Sequence, residues 1–307
     1  MLVVLGNAGR DLTYRVGALP RPGETVIAEN AASDLGGKGL NQAIMARRIG
    51  ISVRFIAPVG RDSVAEQIRS QLAVEGIDDS DLIAKDGASD SSVVLIDAHG
   101  ENAIVSDTRQ VEALTPGQVV PVLKLGPKNA LLLQGNLSRD TTAAAIAAGN
   151  AAGATVILNA APMRPWLSQL PGRIDVLIAN RIEASEWVGL KERHVLADII
   201  ASINVPLVVI TLGAEGCHIR RQGDIDRAIS APQTNAVDTT GAGDTFVGAF
   251  VAGLLMKRDP VSAAVLGVHA ASDKITREGT VSALPTIATI DLLRTRLMTA
   301  ECRPPST

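Results

Sequence analysis

The stretch that decides the fold reads DTTGAGDTFVGAF and runs from Asp238 to Phe250. From Gly243 onward, Phe246, Phe250 and Leu254 recur every four residues, a spacing that predicts a helix with one buried face. The glycine-rich turn before this helix leaves backbone amides free at the positive helix end, and its small residues let a ligand approach the backbone. We therefore expect an anion site at the start of the helix.

Specific chemistry can be assigned to this turn. The backbone amides of Gly241, Ala242 and Gly243 would surround a phosphate or a developing negative charge. Asp244 lies in the first helical turn, where the helix dipole favours a carboxylate, and beside a phosphate it can accept the proton of an attacking hydroxyl. A glycine-rich connection whose Asp only caps the helix has the same sequence, and a short glycine motif alone does not decide between the two.

Outward from this turn, short Val/Ile/Leu-rich runs alternate with segments of helix length. The apolar runs are residues 2–5, 53–57, 130–133, 155–158, 175–179 and 207–211. The expected helices are residues 41–49, 63–74, 141–152, 194–203, 243–256, 260–273 and 287–299. This alternation predicts a doubly wound, mainly parallel α/β sheet covered on both faces, and the length fits one large domain or two small ones.

Two segments, residues 12–34 and 91–106, depart from the alternation. Turn-forming residues, Pro22-Gly23 in the first and His99-Gly100 in the second, lie within or between β-rich arms. We expect these arms to form a small separate sheet, with plain surface loops as the alternative. Residues 301–307 are expected to be a frayed tail.

Composition excludes several classes of protein. Aromatic residues make up only 2% and the net charge is -3, so the chain lacks both the stacking residues and the basic surface of a nucleic-acid-binding protein. No run of apolar residues approaches the eighteen that a membrane span needs, and the two cysteines show no paired spacing. We therefore expect a cytoplasmic protein that binds neither membrane nor nucleic acid.

Two motifs in a fixed order make the interpretation specific. GGKGLNQA at residues 36–43 and DTTGAGDTF at residues 238–246 resemble the two signatures of the ribokinase (PfkB) family of carbohydrate kinases. NRIE at 180–183, TLGAEG at 211–216 and PGET at 22–25 resemble further family motifs. The resemblance implies a single α/β domain over residues 1–307, with segments 12–34 and 91–106 as a β-sheet lid that often pairs with a second subunit's lid. It also implies transfer of the γ-phosphoryl group of ATP to a primary hydroxyl of a sugar.

The resemblance also assigns the sugar contacts. They are Asp11, Gly37, Lys38, Asn41, Asn136 and Asp244. Lys38 and Asn41 are three residues apart and share a helix face, while a carboxylate at Asp11 can accept bonds from two hydroxyls. The alternatives are a turn-forming Asp and a solvated Lys in a glycine-rich turn. A Walker A loop is excluded because Gly39 follows Lys38, and the dinucleotide pattern Gly-x-Gly-x-x-Gly is absent.

On the nucleotide side, the resemblance assigns four residues to ATP and one to its metal. The nucleotide contacts are Asn180, Thr211, Gly213 and Gly216, and Glu183 would hold Mg²⁺ through water. The spacing of Asn180 and Glu183 equally fits a helix capping box, and both roles are compatible. His269 is a candidate adenine contact, but a histidine on a helix face is the safer interpretation.

A monovalent cation, K⁺, is the last ligand that the resemblance implies. Its expected ligands are Asp238, the Thr240 carbonyl and Gly279, next to the anion site. We expect K⁺ to activate more than Na⁺. Ala283 stands where the family often has a serine ligand.

Two departures from the family pattern leave the sugar open. Gly9-Arg10-Asp11 replaces the usual Asn-Ala-Asp, and Asn136 replaces a glutamate. A site built for one hydroxyl pattern rejects analogues that leave its polar groups unpaired. The two altered contacts therefore count against ribose itself and leave other pentoses, ketohexoses and sugar acids open, as well as a nucleoside kinase of the same family and a non-catalytic sugar-binding sensor. The intact Asp244 argues against the sensor.

Overall fold

Alternating strands and helices build a large sheet covered on both faces. The computed structural model describes residues 1–99, 102–190 and 195–301. Its strands are β1 (Leu2–Leu5), β2 (Gly9–Arg15), β3 (Asn30–Gly36), β4 (Val53–Val59), β5 (Leu82–Ala84), β6 (Asp90–Ile96), β7 (Asn102–Asp107), β8 (Ala130–Gln134), β9 (Thr155–Asn159), β10 (Val176–Asn180), β11 (Leu207–Thr211), β12 (Cys217–Arg221) and β13 (Ile225–Ile229). Its helices are α1 (Lys38–Ile49), α2 (Ser63–Glu75), α3 (Arg109–Glu112), α4 (Pro116–Leu123), α5 (Arg139–Ala151), α6 (Arg181–Trp187), α7 (Leu196–Ser202), α8 (Ala242–Leu255), α9 (Pro260–Lys274) and α10 (Ile287–Glu301).

The main sheet has nine strands in the order β13-β12-β11-β10-β9-β8-β1-β4-β5. From β11 to β5 all neighbours are parallel, which confirms the doubly wound, mainly parallel sheet. The antiparallel hairpin of β12 and β13 at one edge was not predicted. Its sequence, CHIRRQGDIDRAI, is too polar to be recognised as a buried strand, because an edge strand leaves side chains in water.

Apolar side chains of the sheet alternate between two cores. Leu2 and Val4 of β1 pack with α1, α2, α8 and α9 on one face. Val3 and Leu5 of the same strand pack with α4, α5, α6 and α7 on the other. Because successive strand residues point to opposite faces, one short apolar run supplies both cores.

Helix α8 is more deeply buried than its one-sided apolar pattern predicts. Its residues 244–253 are all buried, with α1 and α9 as its main neighbours. A Cβ on Gly248 would lie 2.7 Å from the carbonyl oxygen of Gln42 and 2.7 Å from Cβ of Met45, so glycine permits the close approach of α1. This packing brings the start of α1 beside Asp244.

The expected small sheet is present and has four strands in the order β3-β2-β6-β7. It is longer than expected: β2 begins at Gly9 and β3 ends at Gly36, since both pair in register along their whole length. Asp11 therefore lies on a strand of this sheet, which we call the lid, and not in a turn after β1. The lid strands lead directly into the start of α1.

Some of the predicted segments lie partly outside the residues that the structure describes. The helix expected over 194–203 is observed as α7, and His194 lies outside the described residues, as does Gly100 of the expected His99-Gly100 turn. The expected frayed tail lies outside them too, apart from Glu301. Among the helices of the described chain, none has the length and apolar character to cross a membrane.

Candidate active site

The last residue of each of four central parallel strands is polar, so these residues lie together at the carboxyl edge of the sheet. Gln134 ends β8, Asn159 ends β9, Asn180 ends β10 and Thr211 ends β11. The start of α8, with Asp244 in its first turn, reaches the same edge. Open α/β sheets bind their ligands at this edge, so these residues define the candidate active site.

Two side chains of helix α1 donate hydrogen bonds to the carboxylate of Asp244. Its side chain is buried, with 7% exposure. Asn41 donates from Nδ2 to Oδ2 at 3.2 Å, and Gln42 donates from Nε2 to Oδ1 at 2.8 Å. Each carboxylate oxygen therefore has a fixed direction, as a positioned proton acceptor needs.

Behind Asp244 lies a chain of side-chain amides that the sequence analysis missed. Gln42 also donates to Oδ1 of Asn159 at 3.0 Å, and Gln134 donates to Oε1 of Gln42 at 3.0 Å. Gln42 lies inside the motif GGKGLNQA, and the other two end strands, which were the available signals. The chain links the base to β8 and β9.

Asp11 faces the site from the lid. A Cβ on Gly36 would lie 1.9 Å from Oδ2 of Asp11, so any larger residue there would displace this carboxylate, and Thr280 donates from Oγ1 to the same oxygen at 3.1 Å. Burial, together with the nearby carboxylates of Asp244 and Asp34, raises the pKa of Asp11 to about 6, although the bond from Thr280 acts in the opposite direction. Asp11 and Asp244, from opposite ends of the chain, thus lie close enough to interact.

Several buried amide oxygens at this edge lack a partner. Among the described residues, Asn41 Oδ1, Gln134 Oε1 and Asn136 Oδ1 are buried without a hydrogen bond, and so is Nε of Arg10, beside Asp11 on β2. Buried polar atoms in folded proteins are nearly always bonded, so a polar ligand is the natural explanation. A polyhydroxylated molecule would supply the donors.

A cleft of about 900 Å³ lies on the other side of the α8 turn. Thr211, Gly213 and Gly216 line one wall, and Ala242 and Gly243 line another. The lining includes Val268 and Ser272 of α9 but not His269, in agreement with the interpretation of His269 as a residue of the helix face.

The turn at the start of α8 has the geometry of an anion site only in part. Gly241 has φ 75°, a left-handed conformation that glycine adopts without strain. The amide of Ala242 donates to the carbonyl of Thr239 at 3.1 Å, so this predicted anion-hole donor is already used within the turn. Gly243 has no atom within 4 Å of a Cβ position, because it faces the open cleft.

Asn180 and Glu183 form the capping box that was the alternative to a ligand role. Asn180 accepts from the amide of Glu183 at 2.9 Å, and Glu183 accepts from the amide of Asn180 at 2.8 Å. Burial raises the pKa of Glu183, the positive charge of Lys38 lowers it, and Asp244 raises it. Glu183 is therefore close enough to Lys38 and Asp244 for their charges to change its pKa while it caps α6. The capping role and a role in the site are compatible.

The three expected cation ligands lie together at the base of the turn. Asp238 accepts from the amide of Thr240 at Oδ1, 2.9 Å away, and from the amide of Gly279 at Oδ2, 3.0 Å away. Lys274, which the sequence analysis missed, donates from Nζ to the Asp238 carbonyl oxygen at 3.0 Å and is fully buried. No cluster of three or more His, Cys, Asp or Glu suited to a metal occurs in the described ranges.

Comparison with known proteins agrees with this geometry. The sequence pattern of the pfkB family of carbohydrate kinases matches residues 1–287. A ribokinase of Haemophilus influenzae is 34% identical over 308 aligned residues, which cover 93% of this chain and 95% of that protein.

Two solved structures share the whole fold. Ribokinase from Cryptococcus neoformans var. grubii serotype A in complex with ADP has a TM-score of 0.83 and 28% identity, covering 95% of this chain and 99% of that one. Ribokinase of Arabidopsis thaliana complexed with ribose and ATP has a TM-score of 0.80 and 25% identity, covering 95% and 97%. Since the family match spans almost the whole chain, the protein belongs to the pfkB family of carbohydrate kinases and is an ATP-dependent sugar kinase of the ribokinase-like type.

Proposed function

We propose that Asp244 is the general base of this kinase and that it removes the proton of a primary sugar hydroxyl. The observation that carries this assignment is the pair of bonds from Asn41 and Gln42, which orient both carboxylate oxygens between the lid and the 900 Å³ cleft. The hydroxyl proton moves to Asp244 as the oxygen bonds to the γ-phosphorus, and the bond from that phosphorus to the leaving ADP oxygen breaks.

The sugar lies between the lid and the carboxyl edge of the sheet in this proposal. Asp11 accepts from its hydroxyls, and Lys38, Asn41 and Asn136 complete the contacts, with the backbone at Gly37 close to the ligand. The unpartnered oxygens of Asn41 and Asn136 support these roles, because sugar hydroxyls would satisfy them. The ribokinase relatives make ribose the first acceptor to test.

ATP occupies the 900 Å³ cleft, with its phosphates toward the start of α8. Thr211, Gly213 and Gly216 line the nucleotide wall, while Asn180, which pairs with Thr211 across β10 and β11, borders it. The amides of Gly241 and Gly243 stabilise the charge of the transferred group, whereas the amide of Ala242 donates within the turn. The complexes of two ribokinases, one with ADP and one with ribose and ATP, support a nucleotide as the second ligand.

Mg²⁺ is held through water by Glu183. The carboxylate is a hard oxygen donor at the nucleotide edge, and its interaction with Lys38 and Asp244 supports its proximity to the phosphates. When bound, the metal neutralises charge on the phosphates. The potassium ion expected at Asp238, Thr240 and Gly279 is not part of this proposal, because the buried Lys274 donates to the Asp238 carbonyl oxygen and argues against it.

A coupled assay of ADP release tests the proposed function. The acceptors are ribose, other pentoses, ketohexoses, sugar acids and nucleosides, each with Mg²⁺ and ATP. We expect release well above background with at least one free sugar. Release with nucleosides alone would favour the nucleoside kinase, and background rates with every acceptor would favour the sugar-binding sensor.

The raised pKa of Asp11 predicts a pH-dependent sugar affinity. Because its pKa is about 6, Asp11 is ionised above that pH and accepts hydroxyl bonds, whereas below it the protonated carboxyl is a poorer acceptor. We expect KM for the sugar to rise by about tenfold per pH unit below that pKa, with little change above it. KM measured from about pH 5 to about pH 8 checks this expectation.

A control is needed because Asp90 on the lid also has a pKa raised to about 6 by burial. Asp11→Asn removes the titration of Asp11 and keeps that of Asp90. The variant is expected to show a high KM that does not vary across this pH range. A KM that still rises at low pH in this variant would assign the effect to Asp90.

We propose further that the chain forms a homodimer through the lid. Ile27, Ile104 and Val105 are exposed on the lid segments, Val105 at 74%, and a small sheet is poorly stable without a cover. The lid would close over the sugar and exclude water, the competing phosphoryl acceptor. Hydrogen exchange should show protection of the arms when sugar binds.

Val105→Lys should break this dimer. A buried ammonium on the apolar lid surface is costly, so light scattering is expected to give a dimer for wild type and a monomer for the variant. Val74→Lys is the matched control, because Val74 is 80% exposed on α2. A monomeric wild type, whose arms exchange identically with and without sugar, would contradict the lid dimer.

A further inference from the structure

Lys274 ends helix α9 as a fully buried lysine. In the described ranges it is the one lysine among the buried polar residues. Lysine is rarely buried without a partner, since removing an ammonium from water is expensive. Its environment therefore has to supply compensating negative charge.

The compensating groups surround the base of the α8 turn. The ammonium donates to the Asp238 carbonyl oxygen at 3.0 Å, and the carboxylates of Asp238 and Asp34 are close enough to favour its charged form. Burial lowers the pKa of Lys274, and Arg277 acts in the same direction. The ammonium thus lies just below the turn that holds the predicted anion-site amides.

The donors expected for K⁺ do not fit an ion in this arrangement. Both carboxylate oxygens of Asp238 accept backbone amides, from Thr240 and from Gly279. Ala283 brings no side-chain oxygen. A space of about 30 Å³ beside Asp34, Asp238 and Gly279 is also lined by Arg15, whose guanidinium pairs with the carboxylate of Glu278 at 2.8 Å. Hard cations need several oxygen ligands at once.

We infer that the ammonium of Lys274 supplies the positive charge that other ribokinase-like enzymes would take from a monovalent cation, so that this enzyme works without one. This inference rests on the proposed function of the α8 turn. Lys274 touches neither substrate, so it is a positioning residue that acts through Asp238. Its charge orients the turn and favours negative charge at the amides of residues 241–243.

The first test compares cations in the wild-type protein. Rates of ADP release and Tm are measured in K⁺, Na⁺ and tetramethylammonium chloride at equal ionic strength. We expect equal rates and equal Tm in the three salts. A K⁺-specific increase in rate, or a K⁺-specific rise in Tm, would overturn the inference, because a bound ion stabilises the folded state.

The second test compares two substitutions of the same residue. Lys274→Met fills the space without charge, and we expect kcat to fall roughly tenfold with KM for the sugar unchanged in every salt. Lys274→Ala leaves a space for an ion, and here K⁺ or NH₄⁺ should restore part of kcat and raise Tm. A purely structural lysine would not produce this difference between the variants.

The outcomes separate the inference from the proposed function. Wild-type kcat in Lys274→Met, or identical cation responses of the Ala and Met variants, would overturn the role of Lys274. Failure of every acceptor in the ADP assay would overturn the proposed function instead. The Tm measurements on wild type and Lys274→Ala need no turnover, so they test the cation question in either case.

Discussion

Replacing Asp244 by asparagine is expected to lower kcat by about 10²- to 10⁴-fold, the usual contribution of a positioned general base. The side chain keeps its size and still accepts a bond through its remaining oxygen, so sugar affinity should stay near the wild-type value. Steady-state ADP release gives kcat, and calorimetry with sugar alone gives the affinity. Turnover close to that of wild type would refute the assignment of the base.

Two checks separate loss of the base from loss of the fold. In Asp244→Asn one of the donors, Asn41 or Gln42, meets an amide NH₂ and loses its acceptor, which costs about 1–3 kcal/mol if it stays buried. Tm should therefore fall slightly while kcat collapses. Asp140→Asn makes the same change in the first turn of α5, where the side chain is exposed, and should alter neither quantity.

Much of the fold follows from local sequence because the local signals were strong. The apolar runs at 2–5 and 207–211 coincide with β1 and β11, since a central parallel strand must be apolar on both faces. The hairpin of β12 and β13 escaped prediction because edge strands need no such run. The lid strand β2 was expected to begin at residue 12 and begins at Gly9.

The candidate site, too, was predicted only in part: sequence motifs indicated some of its residues, whereas contacts between residues far apart in the chain could not be predicted. Motif residues such as Lys38, Glu183 and Asp244 were expected from their resemblance to family motifs, but the bond from Gln42 to Asp244 joins residues 202 positions apart. No local pattern contains that contact. Lys274 at the end of an apolar helix looks like an ordinary basic residue of a last turn, and only the packed structure reveals its burial.

Filling the cleft at Gly243 is expected to lower kcat/KM for ATP by at least about 10²-fold, because a displacement near 1 Å at a reacting centre has effects of this size. Gly243 lines the 900 Å³ cleft, and no atom lies within 4 Å of its Cβ position, so Gly243→Val folds without a clash. The valine keeps the backbone amide. Its methyl groups occupy the space that we assign to the phosphates.

The control lies at the corresponding position of another helix. Gly243 is the second residue of α8 and Gly117 is the second residue of α4, and neither has an atom within 4 Å of its Cβ position. Gly117→Val should therefore match Gly243→Val in Tm, since both substitutions change the same helical position, but it should leave ATP kinetics unchanged. Sugar affinity, measured by calorimetry without nucleotide, should be the same in both variants. Wild-type kcat/KM for ATP in Gly243→Val would mean that the phosphates do not lie at the start of α8, and the assignment of the anion site would fail with it.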